Sequence, residues 1–526
     1  MAQTKQREST GRHAVLVSAG ILLTRLIGLV RQRIFSRFFG LSYVADAFYG
    51  AFRIPNLLQN LFGEGVLSAS FIPVYSKLLA EGDEEEAGRV AGAVAAILAL
   101  TTAVLVLLGV VAAPFVTDIV IPGFKGQTRE LAIRLVRILF PGAGLLVLSA
   151  WCLGILNSHR KFFLSYTAPV LWNLAMIATL LGFRRMQEES LVVLLAWGSV
   201  AGSALQFGVQ LPVVLRLARH IRVRLTTQDA PVREVIRNFV PVFISRGVVQ
   251  ISAYVDVVLA SYLPPGAVAA ITNAQTLYTL PVSLFGVAVS AAELPAMSSA
   301  LGDANQVAAH LQRRLNAGLR QIAFFVVPSA MAFLALGGVI AALLFENGAF
   351  RHADSNYVWS IVAGSSVGLL ASTLGRLYSS TYYALRDTRT PLRFAVIRVA
   401  LTTGLGYLCA LPLPRWVGLD ARWGAAGLTA SAGVAGWVEF TLLRRTLNRR
   451  IGQTGLPLTL VAKLWTSAAL AAGAAWGVKL ALGNRHPIVF GTAILCTYGV
   501  IYFAAAYLFG VEECTGALRR IMRRRS

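Results

Sequence analysis

A chain of 526 residues that is 56% hydrophobic and 14% charged, with a mean hydropathy of +0.65, is too apolar for a soluble globular protein and reads as an integral membrane protein. Its net charge of +24 does not point to nucleic acid, because the basic residues punctuate apolar segments instead of gathering on a polar domain. Scattered cysteines without CxxC spacing, and six histidines near segment ends, leave no metal-ligand pattern.

Apolar stretches of about 20 residues between polar breaks predict an all-α protein with about fourteen transmembrane helices. The expected spans are 13–38, 44–79, 89–118, 131–157, 163–183, 190–218, 234–263, 267–300, 318–345, 355–384, 392–411, 423–447, 460–482 and 487–510. The basic start MAQTKQREST runs into an apolar stretch without a small-residue cleavage site, so it reads as a retained first helix and not a signal peptide. Taking alternate connections as cytoplasmic collects about 29 Lys and Arg on one side against about 8 on the other, which puts both termini in the cytoplasm.

The first two helices carry Arg25, Arg31, Arg33, Arg37, Asp46, Arg53 and Glu64. A charge near the bilayer centre costs about 2.5–3.5 kcal/mol, so such residues face a wet cavity or a partner. Asp46, Arg53, Asn60 and Glu64, spaced by seven, seven and four, predict one polar stripe on a continuous helix. Gly28 is a place where the first helix can bend to bring Arg25 and Arg31 to the same side. Guanidinium groups around a cleft suit a phosphate-bearing ligand, which they bind bidentately. The alternative is that they snorkel to headgroups or pair with the carboxylates.

The acidic run EGDEEEAGR at 81–89 reads as a solvated turn. The connections LARHIRVRLTTQDAPVREVIR and SALGDANQVAAHLQRRLNAGLR read as amphipathic interfacial segments. Helices seven and eight repeat the layout of one and two, each pair ending in a long helix with two prolines: Pro55 and Pro73 against Pro281 and Pro295. The expected organisation is an N-terminal lobe at 1–220, a C-terminal lobe at 221–450, and a C-terminal part at 451–526, with the substrate cavity between the lobes. In the second lobe, Gln275, Thr279, Gly286 and Glu293 are predicted to share a face of helix eight. Arg246, Gln250 and Asp256 mark helix seven, with an Arg246–Asp256 or Arg246–Glu293 ion pair as the structural alternative. No Walker loop, GxSxG, HExxH or aspartate-rich sugar-nucleotide motif is present, so an integral-membrane glycosyltransferase is the weakest reading.

The segments TRLIGLVRQRIFSRFFG, ADAFYGAFRIPNLLQNLFGEGVLSASFIPVYSKLL, PGF at 122–124, ILNSHRKF at 155–162 and RDTRTP at 386–391 together resemble the MurJ (MviN) lipid II flippase family of the multidrug/oligosaccharidyl-lipid/polysaccharide exporter superfamily. The resemblance implies fourteen helices, in two six-helix lobes around a cationic cavity plus two C-terminal helices that form a groove for a polyprenyl tail. It implies a multi-pass protein of the bacterial inner membrane that carries lipid II, a disaccharide-pentapeptide on undecaprenyl pyrophosphate, outward by alternating access. Arg25, Arg31, Asp46, Arg53 and Glu64 match the family's charged cavity positions.

The chain departs from the family at Gln59 and Asn60, where an Arg pair is common, and at Gln275, Thr276 and Thr279, where Asp-Arg and then Glu are common. Gln32 replaces a common Asp. Arg246 is the candidate substitute for the missing arginine. Arg25, Arg31 and Arg53 are assigned to the pyrophosphate, and Gln59, Asn60, Gln275 and Thr279 to sugar and peptide groups. No cofactor is expected, and the drive is the membrane potential or a coupling cation, for which Asp256 is the candidate ligand. Expected partners are lipid II or another undecaprenyl-linked glycan, membrane lipids and cell-wall synthases. A flippase for another polyprenyl-linked oligosaccharide and a drug or cation exporter of the same superfamily are the rival functions.

Overall fold

In the computed structural model, which describes residues 2–299, 303–482 and 487–515, regular structure is helical and no strand occurs among the described residues. The chain divides into two compact units, Met1–Val268 and Ala269–Ser526. The first holds α1 (Ala2–Phe39), α2 (Tyr43–Phe62), α3 (Glu64–Glu81), α4 (Glu84–Val111), α5 (Ala113–Val120), α6 (Gly126–Ser158), α7 (Phe162–Gly182), α8 (Glu188–Leu217) and α9 (Ala230–Ser261). After α10 (Ala267–Pro281) and a π-helical turn at Val282–Val287, the second holds α11 (Ala288–Ser298), α12 (Ala304–Phe345), α13 (His352–Ala384), α14 (Arg389–Ala410), α15 (Pro412–Trp416), α16 (Trp423–Ile451), α17 (Leu458–Leu482) and α18 (Pro487–Leu508).

Eleven of these segments are long and apolar enough to cross a membrane, which makes this a multi-pass membrane protein. The three expected spans outside that set are α1, the α2–α3 pair and α9. They are the helices that carry Arg25, Arg31, Arg53, Arg246 and Asp256, so charge is concentrated where hydropathy is weakest.

Within the first unit α6 is the central helix, with Val147, Trp151, Cys152 and Ile155 buried against Leu67, Phe71 and Tyr75 of α3 and Val90, Ala91 and Val94 of α4. The Trp151 indole donates to the Ala91 carbonyl at 3.1 Å, which satisfies its one polar atom inside this core. The acidic run is more than a solvated turn. Asp83 caps α4 by accepting from the Glu86 amide at 2.9 Å, and Glu84 to Glu86 occupy the first turn, where the helix dipole favours carboxylates.

The first connection, read as an amphipathic interfacial segment, is non-helical over residues 218–229. It crosses α4 instead, and the missing side chains of Gly88 and Gly92 admit the backbone of His220 and Arg222. The continuous second helix expected over 44–79 is two helices broken at Gly63, whose absent Cβ makes room for the Gln59 carbonyl. That break removes Glu64 from the stripe of α2.

Asp46 stays in phase with Arg53 and Asn60 on the unbroken α2, but its carboxylate is engaged by backbone. Buried in the first turns of α2, its Oδ2 accepts from the Gly266 amide at 2.6 Å and anchors the turn after α9. Gly266 has φ +94°, which disfavours any side chain there. Asp46→Ala is expected to orphan that amide at a cost of about 2 kcal/mol, while Asp46→Asn keeps an acceptor and most of the stability. Thermal unfolding of the two variants checks this.

The second unit shows a matching helix end. Arg160 after α6 and Arg386 after α13 both have φ +58°, a left-handed conformation uncommon for any residue but glycine, and each is followed by an amide that bonds back to the last helical turn. Asp387 then accepts from the Thr390 amide at 3.0 Å, the Thr390 hydroxyl at 2.7 Å and Arg450 at 2.7 Å. These donors, the Thr390 backbone first, hold its carboxyl down at about 2. A carboxyl depressed in the folded state stabilises above its unfolded value near 3.9 and loses that contribution only as pH falls toward about 2. The stability difference between wild type and Asp387→Asn is therefore expected to stay constant from about pH 8 to 5 and to shrink below about pH 4. Melting curves across that range test it.

Candidate substrate-binding site

One candidate cavity is lined by residues of the first unit alone. This cavity of about 420 Å³ opens between α2, α3, α6, α8 and α9, walled by Gln59, Asn60, Ser149, Gln206 and Arg246. Arg246 reaches it because Gly65 has no side chain, and a Cβ there would overlap the guanidinium. Arg246 forms no ion pair among the described residues of its own unit, so the suggested pairing with Asp256 is absent, and Glu293 lies beside Arg314. Its forked donors remain available to an incoming anion.

The same cavity is lined by an uncharged hydrogen-bonding group that sequence reasoning missed. The Gln206 amide donates to the Ser149 hydroxyl at 3.0 Å, and Ser149 donates to Gln210 Oε1 at 2.7 Å. Gln210 is fully buried, and its Nε2 has no partner among the described residues. Neutral polar residues cost a span far less than charge, so they raised no signal individually. The four-residue step from Gln206 to Gln210 on α8 was the available sign.

Asn60 Nδ2 lies 3.4 Å from Gln250 Oε1, which ties α2 to α9 at the rim. One turn away, the Tyr254 hydroxyl donates to the Arg53 carbonyl at 2.6 Å, while Asp256 and Tyr254 sit within electrostatic range of the partly buried Arg53 guanidinium. Arg31 is held differently. Its guanidinium stacks 4.8 Å over Trp172 and lies 3.8 Å from the Met176 sulfur. Trp172 in turn meets Phe52 at 5.8 Å and donates to Ser199 at 3.1 Å. Phe52 and Ser199 line a smaller void that shares Gln59 with the main cavity.

The family profile of "Lipid II flippase MurJ" matches residues 35–525. The chain belongs to the MurJ family of lipid II flippases. Among its relatives, the lipid II flippase MurJ of Burkholderia cenocepacia is 33% identical over 84% of this chain and 84% of its own length. The probable lipid II flippase MurJ of Rhizobium tropici is 30% identical over 97% of this chain and 96% of its own. A solved MurJ structure in an inward-closed conformation matches with a TM-score of 0.77 at 23% identity, over 94% of this chain and 98% of that one. An inward-facing multidrug resistance MATE transporter of the MOP superfamily matches with 0.65 at 18% identity, over 83% and 98%. The structural neighbours establish the shared fold, and the profile and curated relatives establish the family.

Of the MurJ positions expected in the cavity, Gln59, Asn60 and Arg246 come together. Arg25 is exposed on α1 and is not part of the cavity wall. Gln32, at the position of the common MurJ Asp, is buried and donates to the Tyr49 hydroxyl at 2.6 Å. The side chain of Glu64 lies outside the described residues.

In the second unit, Gln275, Thr279, Gly286 and Glu293 do not share one face. The π-turn after Pro281 shifts the phase of the helix, Thr279 is exposed, and Gly286 packs against Thr373. Glu293 lies 3.6 Å from Arg314 of α12. Among the described residues no group of three His, Cys, Asp or Glu is placed to hold a metal ion.

Proposed function

We propose that this chain carries lipid II from the cytoplasmic to the outer leaflet by alternating access, with both termini in the cytoplasm. In this reading Arg246 takes the pyrophosphate, and Gln59, Asn60, Ser149 and Gln206 take hydroxyl and amide groups of the first sugar. The observation that carries it is one forked cation lining, together with neutral hydrogen-bonding side chains, a cavity of about 420 Å³ in a family of lipid II flippases. Sites that enclose a drug-sized ligand span about 300–1,000 Å³, so this one receives the phosphate end of the headgroup and not the whole disaccharide-pentapeptide. Arg31 and Arg53, each already engaged, serve as a secondary electrostatic lining. An inside-negative potential favours the return of net positive charge by about 2.3 kcal/mol per charge per 100 mV.

The test is complementation. The chain is expected to sustain growth of a host depleted of its own lipid II flippase. Failure to do so, with the protein inserted in the membrane, would move the substrate to another undecaprenyl-linked glycan.

A further inference from the structure

A second pocket, of about 210 Å³, lies within the second unit where the end of α12 meets the start of α13, the last turns of α17 and the start of α18. Its walls are fixed. The Trp359 indole donates to the Leu334 carbonyl at 3.0 Å and the Trp476 indole to the Ala335 carbonyl at 3.0 Å, and the absence of a Cβ at Gly337 lets Trp359 seat on α12.

Both signs of charge line it. Lys479 sits 4.3 Å above the Trp476 ring. Glu346 caps the C-terminus of α12, where the helix dipole opposes a carboxylate, and its Oε2 is held by the Ser355 hydroxyl at 3.1 Å and His352 at 3.2 Å. Asn356 is exposed and forms no hydrogen bond among the described residues.

We infer that this pocket seats the headgroup of a zwitterionic phospholipid. The ammonium lies between Glu346 and the face of Trp359, and the phosphate lies on Lys479 and Asn356. A purely anionic headgroup meets Glu346, and a cationic one meets Lys479. The volume is below that of a site for a whole drug-sized ligand, which suits a headgroup whose chains stay outside. Exposed Leu480 and Val489 on α17 and α18 offer those chains an apolar flank, and Trp and Lys at the end of a span mark the bilayer interface.

The full-length protein in detergent is titrated with dihexanoyl-phosphatidylethanolamine and dihexanoyl-phosphatidylglycerol, and binding is read by native mass spectrometry. The ethanolamine lipid is expected to bind about tenfold tighter, Glu346→Gln to abolish that preference, and Lys479→Gln to weaken both lipids about tenfold. Equal affinity of the two lipids for the wild type would overturn the inference. If Glu346→Gln fails to fold, Lys479→Gln and the exposed Asn356→Ala decide it, and unchanged affinity in both would overturn it.

Discussion

Arg246→Ala is expected to weaken lipid II binding about 10- to 100-fold while leaving the melting temperature of the protein unchanged. The first half follows from what a guanidinium gives a phosphate: charge-assisted hydrogen bonds to a charged partner are worth about 1.5–3 kcal/mol, and each 1.4 kcal/mol is tenfold in affinity. The second half follows from the surroundings, since Arg246 is exposed to the cavity and, among the described residues, forms no ion pair whose loss would strand a buried carboxylate. Arg246→Lys should fall between the two, because an ammonium keeps the charge but loses the planar fork. A binding titration with the purified protein, run beside thermal unfolding, separates the effects. A large drop in melting temperature for Arg246→Ala would make the residue structural.

A pair of glycine substitutions should divide function from folding in the same way. At Gly65 the atoms nearest a new methyl are those of the flexible end of Arg246, so Gly65→Ala should displace the guanidinium, lower affinity about tenfold and barely change stability. At Gly92 it meets the backbone of Arg222, which cannot swing aside. Gly92→Ala is therefore expected to destabilise the first unit by about 1–3 kcal/mol, as overpacking does elsewhere, with affinity retained in the folded fraction. Identical behaviour of the two variants would mean that Arg246 is held too rigidly to be a ligand-binding arm.

Charge inside a span was the most legible feature of the sequence, because its cost demands a reason. It led to Arg246, which shares one cavity with Gln59 and Asn60, the two positions marked by their departure from the family, and to Arg53 and Asp256, which interact electrostatically. Inference failed where it assumed an ideal helix. The stripe from Asp46 to Glu64 ended at Gly63, and that from Gln275 to Glu293 passed through a π-turn, so residues in phase by arithmetic diverge in space. Asp46 shows a second limit. Its partner is a backbone amide 220 residues away, and no periodicity in α2 encodes a bond to the turn after α9. The Ser149–Gln206–Gln210 chain shows a third, because uncharged polar residues in apolar helices carry little insertion cost to betray them.

The account rests on the cavity of the first unit handling the phosphate end of lipid II during transfer. The most direct measurement is outward movement of fluorescent lipid II in liposomes reconstituted with the purified chain, read by leaflet-specific quenching, for the wild type and for Arg246→Ala. The wild type is predicted to move the lipid well above protein-free liposomes, and Arg246→Ala to fall to the protein-free level. Transfer by Arg246→Ala at the wild-type rate would contradict the account.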